Sequence, residues 1–139
     1  MSLPDYLRDI GIAGPLIAKM GNLKRVADSI CPETIEDFFV SEYKQSDGQR
    51  IYESLFFFSP KYVMESKKIM SSNPNIDIAC LYRNIDRYEM MYNNYNPAEP
   101  RETTDNSILQ ISGIMGDVLF FLQASGENCA RLWEYSRNM

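Results

Sequence analysis

The chain has 139 residues, no histidine and a net charge of −5. That length suits one domain able to bury a core without a disulfide or metal staple, and the ordinary apolar fraction with plentiful aromatics excludes a disordered chain. The acidic balance excludes nucleic-acid and anionic-lipid surfaces as natural partners, because the densest cations, Lys19, Lys24 and Arg25 and then Lys61, Lys67 and Lys68, form no block and read as solvated lysines and arginines.

In chain order, Leu3, Tyr6, Leu7 and Ile10 make a short helical stripe that Gly11, Gly14 and Pro15 interrupt. A second stripe, Leu16, Met20, Leu23, Ala27 and Ile30, is amphipathic and is expected to stop at Pro32. The texture then changes. Residues 34–45 mix β-branched, aromatic and charged side chains, and Ser46-Asp47-Gly48 is a turn signal. Residues 50–59 predict a strand apolar on both faces, with Leu55 and Phe57 on one and Phe56 and Phe58 on the other. Ser59-Pro60-Lys61 turns the chain, residues 62–66 return antiparallel, and 71–75 read as a loop.

Residues 82–97, YRNIDRYEMMYNNYNP, carry two conflicting periods. Tyr82, Ile85, Tyr88, Tyr92 and Tyr95 recur as on a helix face, whereas Tyr88, Met90 and Tyr92 alternate as on a strand. The setting between two hairpins favours a strand at 87–93, with Tyr82–Asp86 as lead-in and most of the tyrosines half-buried in a wall. Residues 96–106 predict a mobile loop, 107–112 a strand, 113–117 a loose glycine turn and 117–124 the return strand. A closing helix follows, with Ser125 able to cap it, Glu127 in its first turn and Trp133 expected to anchor it.

Consecutive strands joined by short turns exclude βαβ units, so the class is α+β with an antiparallel sheet of six to seven strands. Such a meander can bury its apolar face by curling into a barrel or orthogonal sandwich that the terminal helix caps. Residues 55–66, 76–91 and 108–139 together resemble the bacterial pleckstrin-homology-like domains of the PH and GRAM superfamily. Leu55 to Ser66 resembles the apolar hairpin, Ile76, Ile78 and Ile85 the apolar steps, and Gly126 to Met139 the capping helix. The resemblance covers roughly residues 34–139. It implies an N-terminal helical segment, 1–32, outside a PH-like barrel, 33–139, and a binding scaffold more than an activity. Its lipid-binding members hold phosphoinositide with clustered cations around the first hairpin. The matching stretch, 41–54, sets Lys44 and Arg50 among Glu42, Asp47 and Glu53, so phosphoinositide binding is not carried over.

The missing histidine removes the commonest general base and metal ligand, and no phosphate-binding loop is present. Cys31, Cys80 and Cys129 are odd in number and far apart, which reads as free, mostly buried thiols, although Arg83 stands near Cys80. Glu33, Glu36 and Asp37, like Asp77 and Asp86, match no cation loop and read as solvated charges. No catalytic, cofactor-binding or metal-binding residue is assigned, and no cofactor is expected. The expectation is a non-catalytic binding or assembly module of a bacterial, cytoplasmic protein without a signal peptide or membrane span. A protein partner or a second copy would meet a barrel edge, the 96–106 loop or the N-terminal helix. Tyr82, Tyr88, Tyr92 and Tyr95 are the candidate ligand or partner surface. The competing expectation is a small-ligand carrier or enzyme with an aromatic pocket drawn from these tyrosines and from Phe56–Phe58.

Overall fold

A computed structural model describes residues 2–70, 78–82, 87–115 and 118–137. The elements are α1 (Leu3–Asp9), α2 (Gly14–Ile30), β1 (Asp37–Lys44), β2 (Arg50–Phe58), β3 (Tyr62–Lys67), β4 (Ile78–Tyr82), β5 (Arg87–Asn93), β6 (Ile108–Met115), β7 (Val118–Ser125) and α3 (Asn128–Arg137). The class is α+β with antiparallel pairing and a C-terminal helix. The strands fall into two sheets, ordered β1-β2-β3-β4 and β5-β6-β7, and among the described residues there is no closed barrel. The chain packs as two compact units. The first is Met1–Val40 with Tyr52–Tyr82, and the second is Ser41–Ile51 with Arg83–Met139.

In the first unit, Ser2 caps α1 by accepting from the Asp5 amide, Pro4 occupies the first turn, and Gly11 reverses the chain at φ +86°. The two helical stripes then meet β1, β2 and β3 in one core. Leu3, Tyr6, Leu7, Ile10, Met20, Leu23 and Ala27 pack with Phe38, Val40, Leu55, Phe57, Met64 and Ile69. This core crosses residue 32, so the N-terminal helices share the interior of the first strands. Their apolar stripe is used internally, apart from Ile30 at its exposed end. Tyr6 adds a polar anchor, since its hydroxyl accepts from the buried Val40 amide at 2.9 Å.

The double-faced character of β2 is realised. Leu55 and Phe57 face the helices, while Phe56 and Phe58 stack on the opposite face with centroids 6.3 Å apart, and all four are buried. β3 returns antiparallel with Phe57 opposite Met64. Its entry turn is tied by Glu33, whose Oε1 accepts from the Ser59 hydroxyl at 2.8 Å and from the Lys61 amide. Glu33 is therefore a structural acceptor rather than the solvated charge its neighbourhood suggested. The 71–75 loop, Asp77, Arg83 and Asp86 lie outside the described residues.

In the second unit, β5, β6 and β7 form an antiparallel meander, with Met90 opposite Ile111 and Ile111 opposite Leu122. The strand period wins over the helical one at 87–93, but Tyr82 is no lead-in. It ends β4, opposite Tyr62. β6 runs on through Gly113 to Met115 and β7 begins at Val118, so strands occupy most of the stretch expected as a glycine turn; residues 116–117 lie outside the described residues. Ser125 ends β7 and does not cap α3. Gly126, at φ +58°, turns the chain and Glu127 precedes the helix. α3 packs against β6 and β7. Cys129, Leu132, Tyr135 and Ser136 are buried, whereas Trp133 is only half-buried and is not the main anchor. Residues 94–107 are a series of turns fastened by the Ser107 hydroxyl, which donates to the Asn94 carbonyl at 2.8 Å.

Tyr6→Phe keeps the ring in the core and removes the acceptor of the Val40 amide. The expected result is a loss of about 1–3 kcal/mol in urea denaturation with an unchanged denaturant slope. A variant as stable as the wild type would mean that the hydroxyl does not anchor α1 to β1.

Candidate functional site

The register of β5–β7 sorts the second unit's sheet into two faces. On one, Leu109, Ile111, Phe120, Leu122 and Ala124 are buried. On the other stand Glu89 and Met91 of β5, Gln110, Ser112 and Ile114 of β6, and Leu119, Phe121 and Gln123 of β7. This second face is open. Leu119 is 80 % exposed, Met91 62 %, Phe121 45 % and Ile114 38 %. Four large apolar side chains on one face of a three-stranded sheet exceed the scattered exposure normal for a soluble surface. Between them lies an open depression of about 400 Å³ lined by Glu89, Ser112, Gly113, Ile114, Leu119, Phe120 and Phe121. Gln110 donates from Nε2 to Gln123 Oε1 at 3.2 Å and closes one end of the face with a polar pair.

The four tyrosines expected as a surface fall on β4, on β5 and in the turns after β5. Tyr82 ends β4 in the first unit, and Tyr88 lies on β5 opposite Gly113. Tyr92 is 59 % exposed at the β5 edge, on the face whose central strands are buried. Tyr95 is buried and its hydroxyl donates to the Pro100 carbonyl at 2.9 Å, so it anchors the 94–107 turns and is no surface residue. Burial, then the neighbouring Cys129 and Glu134, push its hydroxyl up to about 12, and it stays protonated. The depression contains none of these tyrosines and none of Phe56–Phe58, so it is not the aromatic pocket that the sequence suggested.

The chemistry of the remaining groups is muted. Burial, with the Glu42 carboxylate second, pushes the Cys129 thiol up to about 12, which keeps it protonated and unreactive near neutrality. Cys31 is half-buried and Cys80 lies in β4 opposite Met64. Among the described residues no three acidic or cysteine side chains cluster closely enough to hold a metal. The two cations of residues 41–54 are engaged by backbone carbonyls. Lys44 donates to the Asp105 carbonyl at 3.2 Å, and Arg50 donates to the Ser125 carbonyl at 3.3 Å.

That Arg50 contact depends on a glycine. A Cβ on Gly126 would stand 2.5 Å from Arg50 Nη2, and the residue is at φ +58°. Gly126→Ala is expected to cost about 1–2 kcal/mol from the left-handed backbone alone, plus the displacement of Arg50. In Arg50→Ala the second contribution is already gone, so the glycine substitution should cost less there, a coupling that a double-mutant cycle on urea midpoints would read. Strict additivity would remove Arg50 from the account. No helix among the described residues is long and apolar enough to cross a membrane. Compared with known protein families, with curated proteins and with solved structures, the chain matches none.

Proposed function

We propose that this chain is a non-catalytic assembly module of PH-like architecture that associates with a second copy of itself through the open face of β5–β7. The exposure of Leu119, Phe121, Met91 and Ile114 on that one face carries the reading. Charge directs it toward self-association. Among the described side chains of the face, only Glu89 is charged, on a chain whose net charge is −5. Two copies meeting there avoid the repulsion that the rest of an acidic surface imposes, and an isologous contact needs only one self-complementary patch. The PH-like architecture is supported by the order of the elements: an antiparallel meander, a second meander and a terminal helix packed on its last strands. The absence of histidine and the protonated, buried Cys129 support a binding role over catalysis.

Sedimentation at increasing concentration tests this. The wild type should show a monomer–dimer equilibrium at or below about 1 mM, the weakest association such a face would give. Leu119→Glu with Phe121→Glu places four like charges across the contact and should leave a monomer. Because Leu119 is exposed, its substitution alone should change stability by only about 0.5 kcal/mol. A wild type that stays monomeric throughout, or a double variant that dimerises equally well, would sink the proposal.

A further inference from the structure

Within the second unit, Ser41–Ile51 is the end of β1, its turn and the start of β2. It meets the rest of that unit through polar contacts. The Gln123 amide donates to Ser41 Oγ at 2.9 Å, Lys44 reaches the Asp105 carbonyl, and Arg50 reaches the Ser125 carbonyl. Among these contacts sits Glu42, fully buried. Its Oε1 accepts from the Ser125 hydroxyl at 3.3 Å and stands 4.0 Å from Arg50 Nη2. Its Oε2 has no hydrogen-bond partner among the described residues. The groups that face it are Arg50 from β2, Ser125 from the end of β7, and Asn128 and Cys129 from α3. Arg50 is the one cation among them, and it is partly exposed, so its charge is shared with solvent.

A buried carboxylate whose hydrogen bonds come from Ser125 and Asn128, whose ion pair is at the limit of contact and whose second oxygen has no hydrogen-bond partner among the described residues is poorly compensated for leaving water. A neutral carboxyl group at the same place needs much less. We propose that Glu42 is a charge-operated latch: neutral, it holds Ser41–Ile51 against the β7–α3 turn, and ionised, it releases that segment, so that the second unit loosens reversibly as pH rises. The direction follows from burial, which raises the Glu42 carboxyl above the ordinary glutamate range against the smaller opposing effects of Arg50, Ser125 and Asn128. An acid whose folded value is raised binds more protons folded than unfolded. Below the unfolded value both states are protonated and the latch is closed. Between the two values stability falls with rising pH, and above the folded value the loss is complete.

The test is the pH dependence of urea unfolding for the wild type and for Glu42→Gln, from about pH 5 to about pH 8, a range that spans carboxylates raised by burial. Background titrations are common to both proteins and cancel in the difference. The wild type should lose stability relative to the variant as pH rises, by up to about tenfold in the unfolding constant per pH unit inside the window. Parallel curves would overturn the latch. Should Glu42→Gln fail to fold, the Glu42 carboxyl is followed by carbon NMR in the wild type and in Arg50→Gln. The wild-type midpoint should lie above that of an exposed glutamate, and loss of the cation should raise it further. An ordinary wild-type midpoint, or one that Arg50→Gln leaves in place, would overturn the proposal equally.

Discussion

Covering β2 is the constraint on which the first unit depends. From Leu55 to Phe58 this strand has no polar side chain, so neither of its faces can be left to water. The face of Leu55 and Phe57 is covered by α1 and α2, whose stripes are spaced to meet it. Once that docking is fixed, the rest of the first unit follows. Tyr6 can satisfy Val40 only because α1 lies along β1, and Glu33 can tie the β2–β3 turn only because the chain leaving α2 passes it. The helices supply the missing half of a core that the strands cannot close alone.

The second unit solves the same problem on one side only. β7 also lacks a polar side chain from Val118 to Leu122, yet Phe120 and Leu122 are buried while Leu119 and Phe121 remain open. α3 packs against β6 and β7 in that unit, and its short buried set, Cys129, Leu132, Tyr135 and Ser136, is matched to one face of a narrow sheet. A three-stranded sheet with an apolar outer face is costly for a solitary chain, because that area gains nothing from folding and favours association. The difference between the units is thus one of supply: two helices serve the first and one short helix the second.

Periodicity made the α+β class, both N-terminal stripes, the double-faced β2 and the strand at 87–93 readable in the sequence. One boundary it misplaced is where glycine was read as a stop. Gly113 sits inside β6 because its neighbours Ser112 and Ile114 still pair across to β7, and a strand tolerates a glycine where its ladder continues. Among the tyrosines singled out, Tyr95 was misread for a different reason. Tyrosines drew attention as amphipathic side chains, but Tyr95 uses its hydroxyl to fasten a turn. Leu119 and Phe121 were hidden in a run, VLFFL, that reads as core on both faces. Nothing in such a run says which face lacks a cover. Glu42 was visible only as one charge in a near-neutral stretch, since burial of a carboxylate is a tertiary fact.

Each compact unit is built from two separate stretches of chain, because the division falls inside β1, between Val40 and Ser41, inside β2, between Ile51 and Tyr52, and again after Tyr82. Neither unit can therefore be excised as a continuous fragment, and no single peptide-bond cleavage separates them. Two strands, β1 and β2, run from one unit into the other.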